Sequence, residues 1–352
     1  MKGSKERVQR VMTFGKPDHA PLFDLLPNDA VLCHFNGGVP VETGDDRSGI
    51  SALVAATDSS RFSYFAPMQE RSETLPDGRV CQYERWTVWT PPKVFASAEE
   101  YRQIKQGELT VQNMQANARY ATANDGGYLR HRDWHFSFGK DYYLLLYAPS
   151  PGLMGLYTEV GLETFSYYLS DVEDVIDAQL EANTEQACKW VDGLPDDDPF
   201  DAVFIGEDIA FKSGPMFSPR WLAEHYFPRL KRVISAFHAR RKKVVFHSDG
   251  NLNPIMDDLV AAGIDGLNPI EVQAGMDLAD LHKRYPELIF FGGIDVSHLL
   301  PFGKPQEVQD AVVQAIEDTE GQILIGSSTE VMNQVPLENF MAMRTAAINY
   351  NF

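Results

Sequence analysis

His247-Ser248-Asp249-Gly250-Asn251 sets an imidazole and a carboxylate two residues apart, directly after the apolar run Val244-Val245-Phe246. A strand ending there delivers both groups to a loop, and Gly250 lets that loop turn sharply. Five further candidate strand ends carry polar or acidic groups in the same sense. Asp24 lies near the far end of Pro21–Leu26, and Glu207-Asp208 follow Val203-Phe204-Ile205-Gly206. Asn268 and Glu271 follow Ile264–Leu267, Asp295 follows Phe291–Ile294, and Ser327, Ser328 and Glu330 follow Ile323–Gly326. Carboxylates around one histidine suit three tasks. They can hold a divalent metal through oxygen and nitrogen, zinc being compatible with His, Asp and Glu. They can act as general acid and base, or they can hold a cationic or polyhydroxyl substrate. The residues alone leave all three open. Asp295, in Gly293-Ile294-Asp295-Val296-Ser297, reads as a helix cap. Glu207-Asp208, flanked by Ile205 and Ile209, should be partly buried and so needs partners or a raised pKa.

The elements that must position these groups form a rhythm. Apolar runs at Tyr142–Tyr147, Val203–Ile205, Val244–Phe246, Ile264–Leu267, Leu288–Phe291 and Ile323–Ile325 alternate with helix-like stretches. Such alternation indicates βαβ units and a parallel sheet. Ser218-Pro219 and Pro305 open helices, the second carrying Val308, Ala311, Val312, Ala315 and Ile316 at helical spacing. Two weaker runs, Pro21–Leu26 and Phe62–Ala66, bring the candidate strands to eight. The expectation is an α/β chain folded as one (β/α)8 barrel domain over residues 1–352, with chemistry at the C-terminal ends of its strands. An N-terminal helix near 4–14 extends it. Asp77-Gly78 and the alternation across 78–90 predict an antiparallel hairpin insertion. Helices are read near 98–105 and 109–122. No G-x-G-x-x-G follows a strand, which removes the usual support for a dinucleotide site.

Composition bounds the partners. The chain has 352 residues, 44% hydrophobic and 23% charged, with a formal net charge of −19. Nucleic acid and anionic membranes are excluded as main partners, since both demand clustered cations. Cys33, Cys81 and Cys188 stand too far apart in sequence for a C-x-x-C zinc or redox motif. With no apolar signal core after Met1 and no span of membrane length, the expected location is a reducing cytoplasm.

Several segments together resemble the uroporphyrinogen decarboxylase superfamily. They are Glu6-Arg7 with Lys16-Pro17-Asp18-His19-Ala20-Pro21, Val203–Ala210, Ser218-Pro219, His247–Asn251, Gly266–Glu271, Gly292–Asp295 and Pro336–Asn339. The resemblance implies the same barrel. True decarboxylases of the family carry an Arg-Gln-Ala-Gly-Arg segment after the first strand and a late Leu-Gly-His-Gly. This chain has Leu25-Leu26-Pro27-Asn28-Asp29-Ala30 and Ile325-Gly326-Ser327-Ser328 there, which argues against a porphyrinogen substrate.

The other branch comprises corrinoid-linked methyltransferases. Its thiol-activating zinc members use His-x-Cys and a later Cys. Here His247 is kept, Asp249 replaces the first Cys, and Ser327–Thr329 fall at the second. The resemblance therefore implies a methyltransferase of a corrinoid-dependent O-demethylation system. Its methyl donor would be a small methoxylated or otherwise methylated compound, and a partner corrinoid protein would bring the cofactor. Glu207, Asp208, Asp249 or Glu271 would protonate the leaving oxygen, or a metal such as zinc on His247 and Glu271 would polarise it. Asp24, Asn268, Asp295, Ser327, Ser328 and Glu330 would bind substrate, and Tyr142, Tyr143, Trp86 and Trp89 would supply walls. A homodimer is compatible with the resemblance. The alternatives are a decarboxylase or lyase on a non-porphyrin acid, with Lys212 or Arg130 as its cation, and a non-catalytic binding protein.

Overall fold

The structure is a computed structural model that describes residues 3–61, 66–115, 126–138 and 140–352. Seven strands form one parallel, curled sheet: β1 (Ser59–Arg61), β2 (Tyr143–Tyr147), β3 (Ala202–Gly206), β4 (Lys243–His247), β5 (Gly266–Asn268), β6 (Ile289–Ile294) and β7 (Ile323–Ser327), hydrogen-bonded in that order. The chain visits neighbouring strands in sequence and returns through helices, so all charged ends point one way.

The eighth expected strand is absent as a strand. Only Leu22 and Phe23 contribute, Leu22 bridging Ile325 on β7 and Phe23 bridging Ser59 on β1. The sheet is thus a barrel-like ring whose edges meet through two residues. The reason is local: Asp58 accepts from the Leu22 amide, while the Asp24 side chain turns to Ser327 and the Leu25 amide, so pairing cannot run on. The strand read at Phe62–Ala66 sits earlier, at Ser59–Arg61, and residues 62–65 of that reading lie outside the described residues.

The six later runs form strands because they are apolar on both faces. Tyr143, Leu145, Ala202, Phe204, Val245, Ile289, Phe291 and Leu324 fill the inside of the ring. The alternate residues, among them Leu144, Leu146, Val203, Ile205, Val244, Phe246 and Leu267, face the helices. Helix Ser4–Met12 closes the N-terminal end, placing Val8, Val11 and Met12 under the interior cluster. Arg7 fastens it by pairing with Asp18 and Asp58.

The insertion is a three-stranded antiparallel sheet, Arg71–Thr74, Val80–Tyr83 and Val88–Trp89, in which Arg71 pairs with Tyr83 and Gln82 with Trp89. One helix, Ala98–Gln115, stands where two were read, and 116–122 lie outside the described residues. After Ser218, helical structure runs from Pro219 through a π turn at Leu222–Tyr226 to Ala239. Among the described residues no helix is long and apolar enough to cross a membrane.

Candidate active site at the strand ends

Three side chains converge where β3 and β4 end. Asp208, His247 and Asp249 each offer a ligand atom, all within 4.8 Å of one another. Paired register brings them together, since Gly206 on β3 lies opposite His247 on β4. The Asp249 amide donates to Asp208 Oδ1 at 3.2 Å, and His247 Nε2 lies 3.5 Å from the same oxygen.

His247 is oriented by β5. Asn268 gives its Nδ2 to the Phe291 carbonyl at 3.3 Å, so its Oδ1 must accept, and His247 Nδ1 stands 2.7 Å from it. That assignment puts the imidazole proton on Nδ1 and leaves the Nε2 lone pair facing Asp208 and Asp249. The ring also packs on Phe204, centroids 5.3 Å apart. Burial pushes the His247 pKa down, opposed by the Asp208 charge.

Asp249 has a buried oxygen, Oδ1, with no hydrogen-bond partner. Desolvation first, then the charges of Asp208 and Glu271, push this carboxyl up to about 7. The next residue holds the loop in place: Gly250 has φ +92°, and its amide donates to Glu271 Oε2 at 2.7 Å. A Cβ there would meet the Ala210 carbonyl at 2.6 Å. Ser248 locks the turn by accepting from the Ile209 amide and donating to the Asp249 carbonyl.

The other expected residues have separate places. Glu207 is fully buried and points away to helix Leu153–Val160, where its carboxylate accepts from the amides of Gly152, Leu153 and Met154. A carboxylate on a helix N-terminus satisfies otherwise orphaned donors. Glu271 borders the trio rather than joining it, with Oε2 on Gly250 and Oε1 3.7 Å from Lys212. Asp295 accepts from the amides of Ser297, His298 and Leu299, the cap its sequence context indicated. Asp24 and Ser327 bind each other, Oδ1 to Oγ at 2.8 Å and Oδ2 to the Ser327 amide at 2.8 Å. Burial lifts Asp24 to about 7 against those hydrogen bonds. Ser328 accepts from the Val296 amide. Glu330 is raised by burial and drawn down by Arg61 and His247, so it lies within their electrostatic reach.

The walls differ from the expectation. Tyr142 and Tyr143 enter β2 at its N-terminal end and are buried, Tyr142 against Thr57 and Tyr143 in the interior cluster. Trp86 is a core residue, and Trp89 is 61% exposed on the inserted sheet. The aromatic at the mouth is Tyr147, at the other end of β2, whose hydroxyl approaches Gly206.

Arg61 was absent from the expected set. It ends β1, and its guanidinium carbon lies 4.9 Å from the Phe204 ring centre and 5.3 Å from that of Tyr147. The signal available in sequence was an arginine closing a short polar strand, Ser59-Ser60-Arg61. Reading the strand three residues later hid it. A cavity of about 520 Å³ lies at the opposite face, against Arg7, His19, Asp58, Tyr142 and Arg344, and no candidate catalytic residue faces it.

The trio has the donor types of a hard divalent metal site, one imidazole nitrogen and two carboxylate oxygens. The unpaired Asp249 oxygen and the open Nε2 of His247 fit such an ion. Without an ion, the same groups have the types that general acid–base chemistry uses.

Comparisons with known proteins bear on the family and the fold. The family model described as Uroporphyrinogen decarboxylase (URO-D) matches residues 173–350, which include β3 to β7 and the trio. In structure the chain is similar to a methyltransferase from Methanosarcina mazei, with 16% identity and a TM-score of 0.68 over 99% of this chain and 98% of that one. It is also similar to a glycosylated endo-β-1,4-xylanase from Gloeophyllum trabeum, with 12% identity and a TM-score of 0.38 over 61% and 79% of the two chains. No curated protein matches the chain in sequence.

Proposed function

The chain belongs to the uroporphyrinogen decarboxylase family, and from that premise we propose that it is a methyltransferase of a corrinoid-dependent demethylation system. The observation that carries the reading is the buried, unpaired Asp249 oxygen beside His247 and Asp208. A carboxyl at that position suits protonation of a leaving oxygen, whereas the thiol-activating relatives have sulfur there. The Methanosarcina protein of similar fold is itself a methyltransferase, which agrees with the reading.

In this reading the substrate's methyl–oxygen bond breaks with its electron pair staying on oxygen, and Asp249 gives that oxygen its proton. The methyl carbon takes a new electron pair from the acceptor, which a corrinoid on a partner protein supplies when bound. Asp208 holds the Asp249 backbone through its amide, and Asn268 holds the imidazole. His247 Nε2 is placed to accept a hydrogen bond from the substrate. Asp208, His247 and Asp249 would also hold a divalent metal, which when bound supplies Lewis-acid polarisation of the leaving oxygen.

The test incubates purified protein with a panel of methyl donors and a cobalt(I) corrinoid protein, following the cobalt spectrum. Methylcobalamin should form with at least one donor, about 100-fold more slowly for Asp249→Asn. No methylation from any donor, with carbon dioxide released from an acid instead, would establish the lyase reading. Elemental analysis after zinc loading shows whether the trio holds metal.

A further inference from the structure

We propose that the Tyr147 hydroxyl is a substrate-binding donor of this site and that it selects a neutral oxygen acceptor, an ether oxygen being the simplest. The proposal rests on the strand ends being the substrate site. It deepens the methyltransferase reading, since a methyl ether presents such an oxygen.

Position comes first. Along β2, Tyr143 and Leu145 point into the ring while Leu144 and Leu146 face the helices, so Tyr147 ends the strand on the inside. The same alternation turns Gly206 of β3 and His247 of β4 inward, because Phe204 and Val245 face the interior and Ile205 and Phe246 face the helices. A Cβ on Gly206 would lie 2.9 Å from the Tyr147 hydroxyl and 3.2 Å from its Cε2, so the tyrosine leans across the inner face of β3. The missing side chain at Gly206 leaves room for it. Gly206 is paired in register with His247, and neighbouring strands stand about 4.8 Å apart. The hydroxyl therefore ends on the inner wall from which His247 rises, two residues before Asp208 in the chain.

Availability comes second. Among the described residues the Tyr147 hydroxyl makes no hydrogen bond, and the residue is 44% exposed at the open end of the ring. Desolvation raises its pKa above the ordinary phenol value, Arg61 opposes the rise, and the charges of Glu207 and Asp208 add to it. The group stays an O–H, a donor with no protein acceptor. Chemistry comes third. A hydroxyl brings no charge to offset repulsion, and the carboxylates at this mouth disfavour an anionic acceptor. A neutral oxygen accepts the hydrogen bond without that repulsion, and a site that offers such a bond rejects the analogue lacking the acceptor.

Calorimetric titration checks this without turnover. The probes are matched pairs in which an ether oxygen replaces a methylene: 4-methoxyphenol beside 4-ethylphenol, and 2-methoxyethanol beside 1-butanol. Each is titrated into the wild type and Tyr147→Phe. In at least one pair the ether should bind the wild type about fivefold more tightly than its analogue, the value of one neutral hydrogen bond. Tyr147→Phe removes a single oxygen and keeps the ring, so it should abolish that preference and leave the analogue's affinity unchanged. Equal weakening of both members would show a merely structural tyrosine and overturn the proposal. An ether preference that survives in Tyr147→Phe would overturn it too, as would no ether preference, or no ether binding at millimolar concentration, in the folded wild type. The underlying reading fails separately. An ether preference that depends on Tyr147, with no methyl transfer from any donor, removes the methyltransferase and keeps the acceptor site. Methyl transfer with unchanged KM and kcat in Tyr147→Phe keeps the methyltransferase and removes the proposal.

Discussion

Asp249 and Glu207 show how differently two carboxylates of similar sequence context behave. Both follow apolar strands, yet Glu207 satisfies three backbone amides of the next helix while Asp249 keeps an oxygen without a partner. Glu207→Gln sets an amide NH2 against those donors and should cost about 2–4 kcal/mol in denaturant unfolding. Asp249→Asn should cost far less stability and far more activity; the reverse ranking in the two assays would exchange their roles. Gly250→Ala forces a Cβ into the Ala210 carbonyl at φ +92°, at a cost of about 1–3 kcal/mol, and should move Asp249 enough to depress turnover. Asp24 adds a pH dependence. Its folded pKa of about 7 lies above the ordinary carboxyl value of 3.8, so between these values the folded state keeps a proton that the unfolded chain has lost. Stability from this group is therefore highest below about pH 4, falls as pH rises, and levels off above about 7. The full difference is on the order of 4 kcal/mol. Asp24→Asn should flatten that slope in urea titrations between pH 4 and 8, and an unchanged slope would place the titration elsewhere. Sequence showed Asp295 as a cap because its loop pattern is local. It could not show the partners of Glu207, because the helix that Glu207 caps lies some 50 residues earlier in the chain.

At the scale of elements, the six apolar runs from β2 to β7 could be read because burial on both faces leaves an uninterrupted hydrophobic signature. The strands that close the ring could not. Ser59-Ser60-Arg61 has no apolar period, and its strand character comes from pairing with Tyr143, Leu144 and Leu145 of β2. Leu22-Phe23 looks like a full strand in sequence, but polar contacts of Asp24 and Asp58 limit it to two bridges. Missing the true end of β1 hid Arg61, and placing the tyrosines at the wrong end of β2 hid Tyr147. Closure depends on close backbone approach at one point. A Cβ on Gly326 would overlap the Phe23 carbonyl oxygen, so Gly326→Ala must push Leu22-Phe23 away from β7. The expected outcome is a loss of more than about 3 kcal/mol and faster amide exchange at Phe23 and Ile325, which hydrogen-bond across this seam. Retained protection at those amides would mean that the ring does not need the bridges.

Across the whole molecule, a net charge of −19 acts on everything that approaches it and on its own folding. Many cations are already paired locally, as Arg7 is with Asp18 and Asp58 and Arg229 with Asp177 and Glu181. What remains at long range is repulsion among the excess carboxylates, which opposes the compact state. Salt shortens the screening length from about 30 Å at 0.01 M to about 10 Å at 0.1 M. This screening removes distant repulsion first and leaves close, partly buried pairs largely intact. The melting temperature should therefore rise by a few degrees between 10 and 200 mM sodium chloride. A fall would show that the ion pairs, rather than the excess charge, dominate. The same field governs ligand entry. A small organic anion bound for the strand ends crosses a negative exterior, so its association rate should increase over the same salt range while that of the matching neutral amide stays flat. Stopped-flow binding of both probes would test this, and an acid association rate that decreases with salt would mean that a positive field extends well beyond the mouth.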